Sequence, residues 1–166
     1  VYLSGITLAI IGEAGRQALL QVLPQLREKG VQIAFDSNFR PRLWTDRQQA
    51  QQAMRDILQF TDIALLTLDD EDLLWGDDSI EGCVERYKDV GIKELVLKRG
   101  ASDTIIIQQG QETRVPVPPV SNIVDTTGAG DTFNAGYLAG RLNGFSPVDA
   151  AKQGTRCAAA VIRHRG

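Results

Sequence analysis

"DTTGAGDTFNAG", residues 125–136, sets Gly128-Ala129-Gly130 directly ahead of Asp131 and then runs on in residues that suit a helix. Ala135, Gly136, Ala139 and Gly140 recur along that helix, so small side chains would let it pack close to the sheet. A helix starting at Gly130 leaves its first N–H groups without intrahelical partners, and the dipole puts about half a positive charge there. Such an end suits a phosphate, and a phosphoryl group in transfer better still. Asp131 stands in the same turn. A carboxylate accepting N–H bonds stays ionised, as a base for a hydroxyl proton must. Read from physics alone, the same residues serve equally well as a tight turn with a helix cap. Phe133 occupies the place of the third glycine of a GxGxxG fingerprint, and the chain holds no Gly-Lys pair for a P-loop.

A strand is expected just before the glycines, and working back from them the same alternation fills the chain. "VYLSGI" at the start reads as a strand and "GEAGRQALLQVLPQLREKG" as a helix that stops at Gly30 and is kinked or broken at Pro24. "VQIAFD" is a short buried strand followed by the loop "SNFRPRLW". Thr45 and Gln48 predict a capping box for a helix over Asp46 to Phe60. "DIALLT" is the next strand, the acidic "LDDEDLLWG" opens a short helix, Ser79 opens another that ends at Gly91, and "ELVLKRG" is a fourth strand. "DTIIIQQG" and "QETRVPVP" predict an antiparallel hairpin around Gln109 to Gln111, with "PPVSN" as a connecting loop. The last helix is announced by Ser146 as N-cap, Pro147 at the first position and Asp149 in the first turn. Strands alternating with helices predict an α/β fold with a mostly parallel sheet, here as one domain over residues 1–166. Ligands in such sheets bind beyond the carboxyl ends of strands, where "SNFRPR", "TLDDED", "KRGAS" and "DTTGAGD" are expected to gather.

Composition narrows the function classes. At 166 residues, 43% hydrophobic and 23% charged, the chain has the make-up of a globular domain. A net charge of −3 gives no basic footprint for nucleic acid, and no apolar run is long enough to span a membrane. Cys83 and Cys157 lack metal-ligand spacing and read as reduced buried thiols of a cytoplasmic protein. His164 is the one histidine, so carboxylates rather than a histidine are the candidate bases.

"DTTGAGDTFNAGYL" resembles the C-terminal signature of the ribokinase-like (PfkB) carbohydrate kinases. "YLSGITLAI", "FDSNFRPRLW", "LLTLDDEDLLWG", "VLKRGAS" and "SPVDAAKQGTRCAAAVIRHRG" are similar to the branch of that family acting on 2-keto-3-deoxygluconate. The resemblance implies a three-layer α/β/α fold and ATP-dependent phosphorylation of that sugar acid to its 6-phosphate. Asp131 would be the base, and the N–H groups of Gly128, Ala129, Gly130 and Asp131 the anion hole. Arg40 would take the substrate carboxylate or the phosphate, with Asn38 and Arg42 as weaker candidates for the same work. Ile6 and Thr7, in the loop after the first strand, would line the sugar pocket. Thr67, Lys98, Gly100 and Ala101, with Gly128 and Gly130, would hold ATP, and Asp103 stands near a place where relatives carry a second glycine.

The resemblance also implies Mg²⁺. Where many relatives carry Asn-x-x-Glu, this chain has Thr67-Leu-Asp-Asp70, so Asp70 would reach the metal through water. Asp125 and Thr127 match positions bordering a monovalent-cation site, a place for K⁺. The likeness covers only the C-terminal half or so of the family's length, without the N-terminal strands and the lid. A bare apolar edge strand then predicts association or poor solubility, with a homo-oligomer as one outcome. The alternatives are a kinase of ribose, fructose or a nucleoside, and a nucleotide-binding fragment that catalyses nothing.

Overall fold

The computed structural model describes residues 1–77 and 79–165. The chain divides into two compact units, Val1–Leu97 and Lys98–Gly166.

In the first unit, β1 (Tyr2–Ser4), β2 (Ala34–Asp36) and β3 (Ile63–Thr67) are parallel, with Leu3 beside Phe35 and Phe35 beside Ala64. Beside β3 lies β4 (Glu94–Lys98), its start fixed by the Lys93 and Glu94 N–H groups, which both donate to the Asp62 carbonyl. The strands are apolar runs with little alternation because they are buried on both faces. Phe35, Leu65, Leu66 and Val96 are fully buried with Leu8, Leu23, Ile57 and Leu74 from the helices. Those helices are α1 (Gly5–Ile10), α2 (Gly12–Glu28), α3 (Arg47–Leu58), α4 (Leu68–Trp75) and α5 (Ile80–Lys88), with a 3₁₀ turn at Pro41–Leu43.

Several expectations change here. The first strand ends at Ser4, whose hydroxyl accepts the Thr7 N–H and caps α1, so Ile6 and Thr7 lie in a helix and not in a loop. The α3 cap is Asp46 rather than Thr45. Its carboxylate accepts the Gln49 N–H at 2.8 Å, which moves the cap one residue along from the predicted box. α2 runs through Pro24 without breaking, because proline removes a single ladder bond while the adjacent Leu23 is fully buried.

In the second unit, β5 (Thr104–Gln108) and β6 (Gln111–Val115) form the predicted antiparallel hairpin. Gln109 and Gly110 both have positive φ, 53° and 76°, as a tight turn matched to strand twist requires. Two helices follow, α6 (Ala129–Leu142) and α7 (Pro147–Val161). The strand expected before Gly128 is absent. Pro116, Pro118 and Pro119 lack donors, and the Val124 and Asp125 N–H groups bond instead to the Ile162 carbonyl at the end of α7.

Gly136 and Gly140 of α6 face α7 rather than the sheet expected from the sequence, so the two helices meet along small residues. A Cβ on Gly136 would lie 2.9 Å from Cys157 Sγ, and one on Gly154 would lie 2.7 Å from the Phe133 carbonyl oxygen. Phe133 and Tyr137 stack at 6.0 Å on the same helix, both buried.

Candidate active site

Each unit carries a cluster of the residues singled out in the sequence. In the second unit it forms around the start of α6. Asp125 accepts the Thr127 N–H at 2.9 Å, the chain turns through Gly128 at φ 74°, and the helix begins at Ala129, one residue ahead of expectation. A left-handed residue at a helix start is what glycine supplies cheaply. The first ladder bond runs from the Thr132 N–H to the Gly128 carbonyl at 2.9 Å, so the Gly130 and Asp131 N–H groups precede the ladder.

Lys98 brings a cation to this end. Its Nζ donates to Asn134 Oδ1 at 2.9 Å, and both residues are buried. A Cβ on Gly130 would meet nothing closer than that Nζ, at 3.9 Å. The glycine thus leaves open space beside a buried ammonium group and the positive end of a helix, an arrangement that attracts an anion. Asn134 was not singled out in the sequence. Its spacing of one turn from Gly130 on α6 was the available signal.

Beyond Lys98 the chain turns through Gly100 at φ 60° and the exposed Ala101. Asp103, near the place of a second glycine in relatives, pairs with Arg99 and lies 3.6 Å from Arg114. It ties the loop to the hairpin.

In the first unit the loops after β1, β2 and β3 converge. Gly5 touches the backbone after β2, for a Cβ there would lie 2.1 Å from the Ser37 carbonyl oxygen. The Thr67 N–H donates to Ser37 Oγ at 3.4 Å, joining the end of β3 to the same loop. Asn38 takes a φ of 27° and is buried, while Arg42 is exposed on the 3₁₀ turn. Arg40 Nη1 donates to the Phe39 carbonyl at 2.8 Å and to Asp70 Oδ1 at 3.1 Å.

The acidic run after β3 divides its work. Asp70 faces Arg40, whereas Glu71 is fully buried against α5. Burial pushes the Glu71 carboxyl up to about 7, against the opposing pull of the Tyr87 hydroxyl, which donates to it at 2.6 Å, and of Arg86 at 3.0 Å. Arg86 lies over Trp75 at 5.2 Å, as Arg55 does at 5.0 Å, beside an open cavity of about 710 Å³. This group is a structural support for α4. Among the described residues, no three His, Cys, Asp or Glu side chains gather as a metal cluster. No helix among them is long and apolar enough to cross a membrane.

The family model described as pfkB family carbohydrate kinase matches residues 1–166. The chain belongs to that family. It is 48% identical to 2-dehydro-3-deoxygluconokinase of Escherichia coli K12 over 170 aligned positions, which take in 100% of this chain and 55% of that kinase. The aminoimidazole riboside kinase of Salmonella enterica, solved with aminoimidazole riboside and an ATP analog, is similar in structure. Its TM-score is 0.86 at 26% identity, over 99% of this chain and 56% of that one. An E. coli chain assigned as a ribokinase II, in complex with ATP and Mg²⁺, gives a TM-score of 0.84 at 27% identity, over 99% of this chain and 52% of that one. This member of the pfkB family thus spans about half the length of the curated relatives it matches. Its α/β fold is the ribokinase-like one of those structures.

Proposed function

We propose that this chain carries the nucleotide and sugar-acid residues of an ATP-dependent kinase that phosphorylates 2-keto-3-deoxygluconate (2-dehydro-3-deoxygluconate) at its 6-hydroxyl. The observation that carries the reading is the buried Lys98 ammonium beside the open first turn of α6. The substrate class rests on the similarity to a kinase named for that sugar acid, and on Arg40 as a donor for a carboxylate.

In this reading Asp131 takes the proton of the 6-hydroxyl as its oxygen bonds to the γ-phosphorus. The bridging bond to the leaving ADP breaks, and the N–H groups of Gly128, Ala129, Gly130 and Asp131 hold the charge on the phosphoryl oxygens. Lys98 neutralises phosphate charge, while Thr67, Gly100 and Ala101 border the nucleotide. Mg²⁺ would arrive with ATP, neutralising charge on its phosphates. Phosphate oxygens and water fill most of such a shell, so a single carboxylate, Asp70, fits the water-mediated part. Asp125 and Thr127 are the proposed edge of a K⁺ site. Arg40, with Asn38 and Arg42, binds the acid end of the substrate, and Ile6 and Thr7 line the sugar from α1. The free thiols of Cys83 and Cys157 suit the cytoplasm.

The test is ADP release by this chain with Mg-ATP and 2-keto-3-deoxygluconate, beside Asp131→Asn. Turnover that disappears in the variant supports the assignment, and turnover that persists removes Asp131 as the base. A second reading, a nucleotide-binding fragment without turnover, is favoured by Thr67-Leu-Asp-Asp70 standing where many relatives carry Asn-x-x-Glu. Its signature is ATP binding with no ADP release in either protein.

A further inference from the structure

The contacts of Arg40 single out one edge of its guanidinium. Nη1 has two hydrogens and two acceptors: the Phe39 carbonyl at 2.8 Å and Asp70 Oδ1 at 3.1 Å. No other described residue takes a hydrogen bond from Arg40. The Nε–Nη2 edge therefore remains open. It is a pair of parallel donors, the fork that accepts both oxygens of a carboxylate. Both anchors are themselves fixed, since Phe39 is 2% exposed and the Asp70 side chain 13%, against 51% for Arg40.

We propose that Asp70 is a positioning residue for Arg40: with the Phe39 carbonyl it consumes Nη1 and turns the Nε–Nη2 edge toward the carboxylate of the sugar acid. This rests on the reading that Arg40 binds that carboxylate. Left to itself, a half-exposed arginine samples many rotamers, and a carboxylate ligand would have to order it on binding. Asp70 carries that ordering before the ligand arrives. Its charge also limits the attraction of Arg40 for anions in general, so selectivity comes from the geometry of the fork rather than from bare charge. By orienting that fork, and against the repulsion of its own charge, Asp70 favours an acid over its neutral isostere whatever it does toward a metal.

The experiment compares the affinity of this chain for 2-keto-3-deoxygluconate with that for its C1 carboxamide by ligand-observed NMR. The proteins are the unmodified chain, Asp70→Ala, Asp70→Asn and Arg40→Ala, with no metal or nucleotide present. The readout is the acid-to-amide affinity ratio, which a metal role for Asp70 leaves unchanged. The expected result is a fall of about tenfold in that ratio for Asp70→Ala, the scale of one charge-assisted hydrogen bond. Asp70→Asn, whose carbonyl still accepts from Nη1, recovers part of it. An unchanged ratio in Asp70→Ala with a reduced one in Arg40→Ala overturns the positioning role and leaves Arg40 as the carboxylate donor. An unchanged ratio in Arg40→Ala, or no preference for the acid in the unmodified chain, overturns the reading itself and the proposal with it. Folding of each variant is checked by its Tm.

Discussion

Lys98 donates from Nζ to Oδ1 of Asn134 across 2.9 Å, with both residues buried, so a cation is held in place one turn beyond Gly130 on α6. Replacing Lys98 by Met removes the charge but keeps most of the stem. ATP affinity should fall about ten- to a hundredfold, the scale of one or two hydrogen bonds to a charged group. Asn134→Leu should cost less, because the ammonium group stays but loses its aim. Titration calorimetry with ATP checks both.

Gly128 and Gly130 should respond in opposite ways to alanine. At Gly128 the φ of 74° makes any side chain strained, and about 1–2 kcal/mol of stability should go. At Gly130 the nearest atom to an added Cβ is 3.9 Å away, so the fold accepts it. The methyl group would instead stand where the proposed phosphoryl group goes. Gly130→Ala should keep its Tm and lose ATP affinity, a pairing that thermal melts with and without ATP resolve.

Glu71→Ala should destabilise the chain by about 1–3 kcal/mol, the cost of leaving a buried donor without its partner. It leaves the Tyr87 hydroxyl without its acceptor and Arg86 with Asp77 alone, at 3.2 Å. Glu71→Gln should cost less, since its carbonyl still accepts from Tyr87. Urea midpoints separate the two.

Asp62 should shape the acid limb of stability. Burial pushes its carboxyl up, but hydrogen bonds from Lys93 and the Ile33 N–H, with the charges of Lys93 and Arg27, outweigh this and leave it lowered. A lowered folded value means stability that is present above the ordinary aspartate range and lost as pH falls through the folded value. Asp62→Asn should therefore be destabilised by a constant amount near neutrality, with the gap closing below about pH 4. Denaturation curves from pH 3 to 7 measure it.

The helix start at residues 128–131 was legible because a glycine with positive φ and a first-turn acid are local signals. The hairpin was legible for a similar reason: Gln109-Gly110 is a turn flanked by strands with matched ends. The end of β1 was not, because "VYLSGI" is equally apolar in either state. What decides it is the close approach of Gly5 to Ser37, far along the chain. The separate duties of Asp70 and Glu71 were hidden too. Adjacent acids look alike until α4 sets one toward Arg40 and the other toward Tyr87. The stretch before Gly128 misled as a strand, since Val124 and Asp125 spend their donors on the end of α7.

The glycine seam between α6 and α7 bears on precision. Where bulky side chains separate two helices, alternative rotamers can absorb a shift of a few tenths of an ångström. Gly154 against the Phe133 carbonyl and Gly136 against the Gly154 Cα leave no such slack, because backbone there works as the spacer. The depth of α6, and with it the place of its leading amides, is machined to the tolerance of covalent geometry. Chemistry that must hold a phosphoryl group in flight gains a gauge block, and any residue larger than glycine in that seam would reset the gauge.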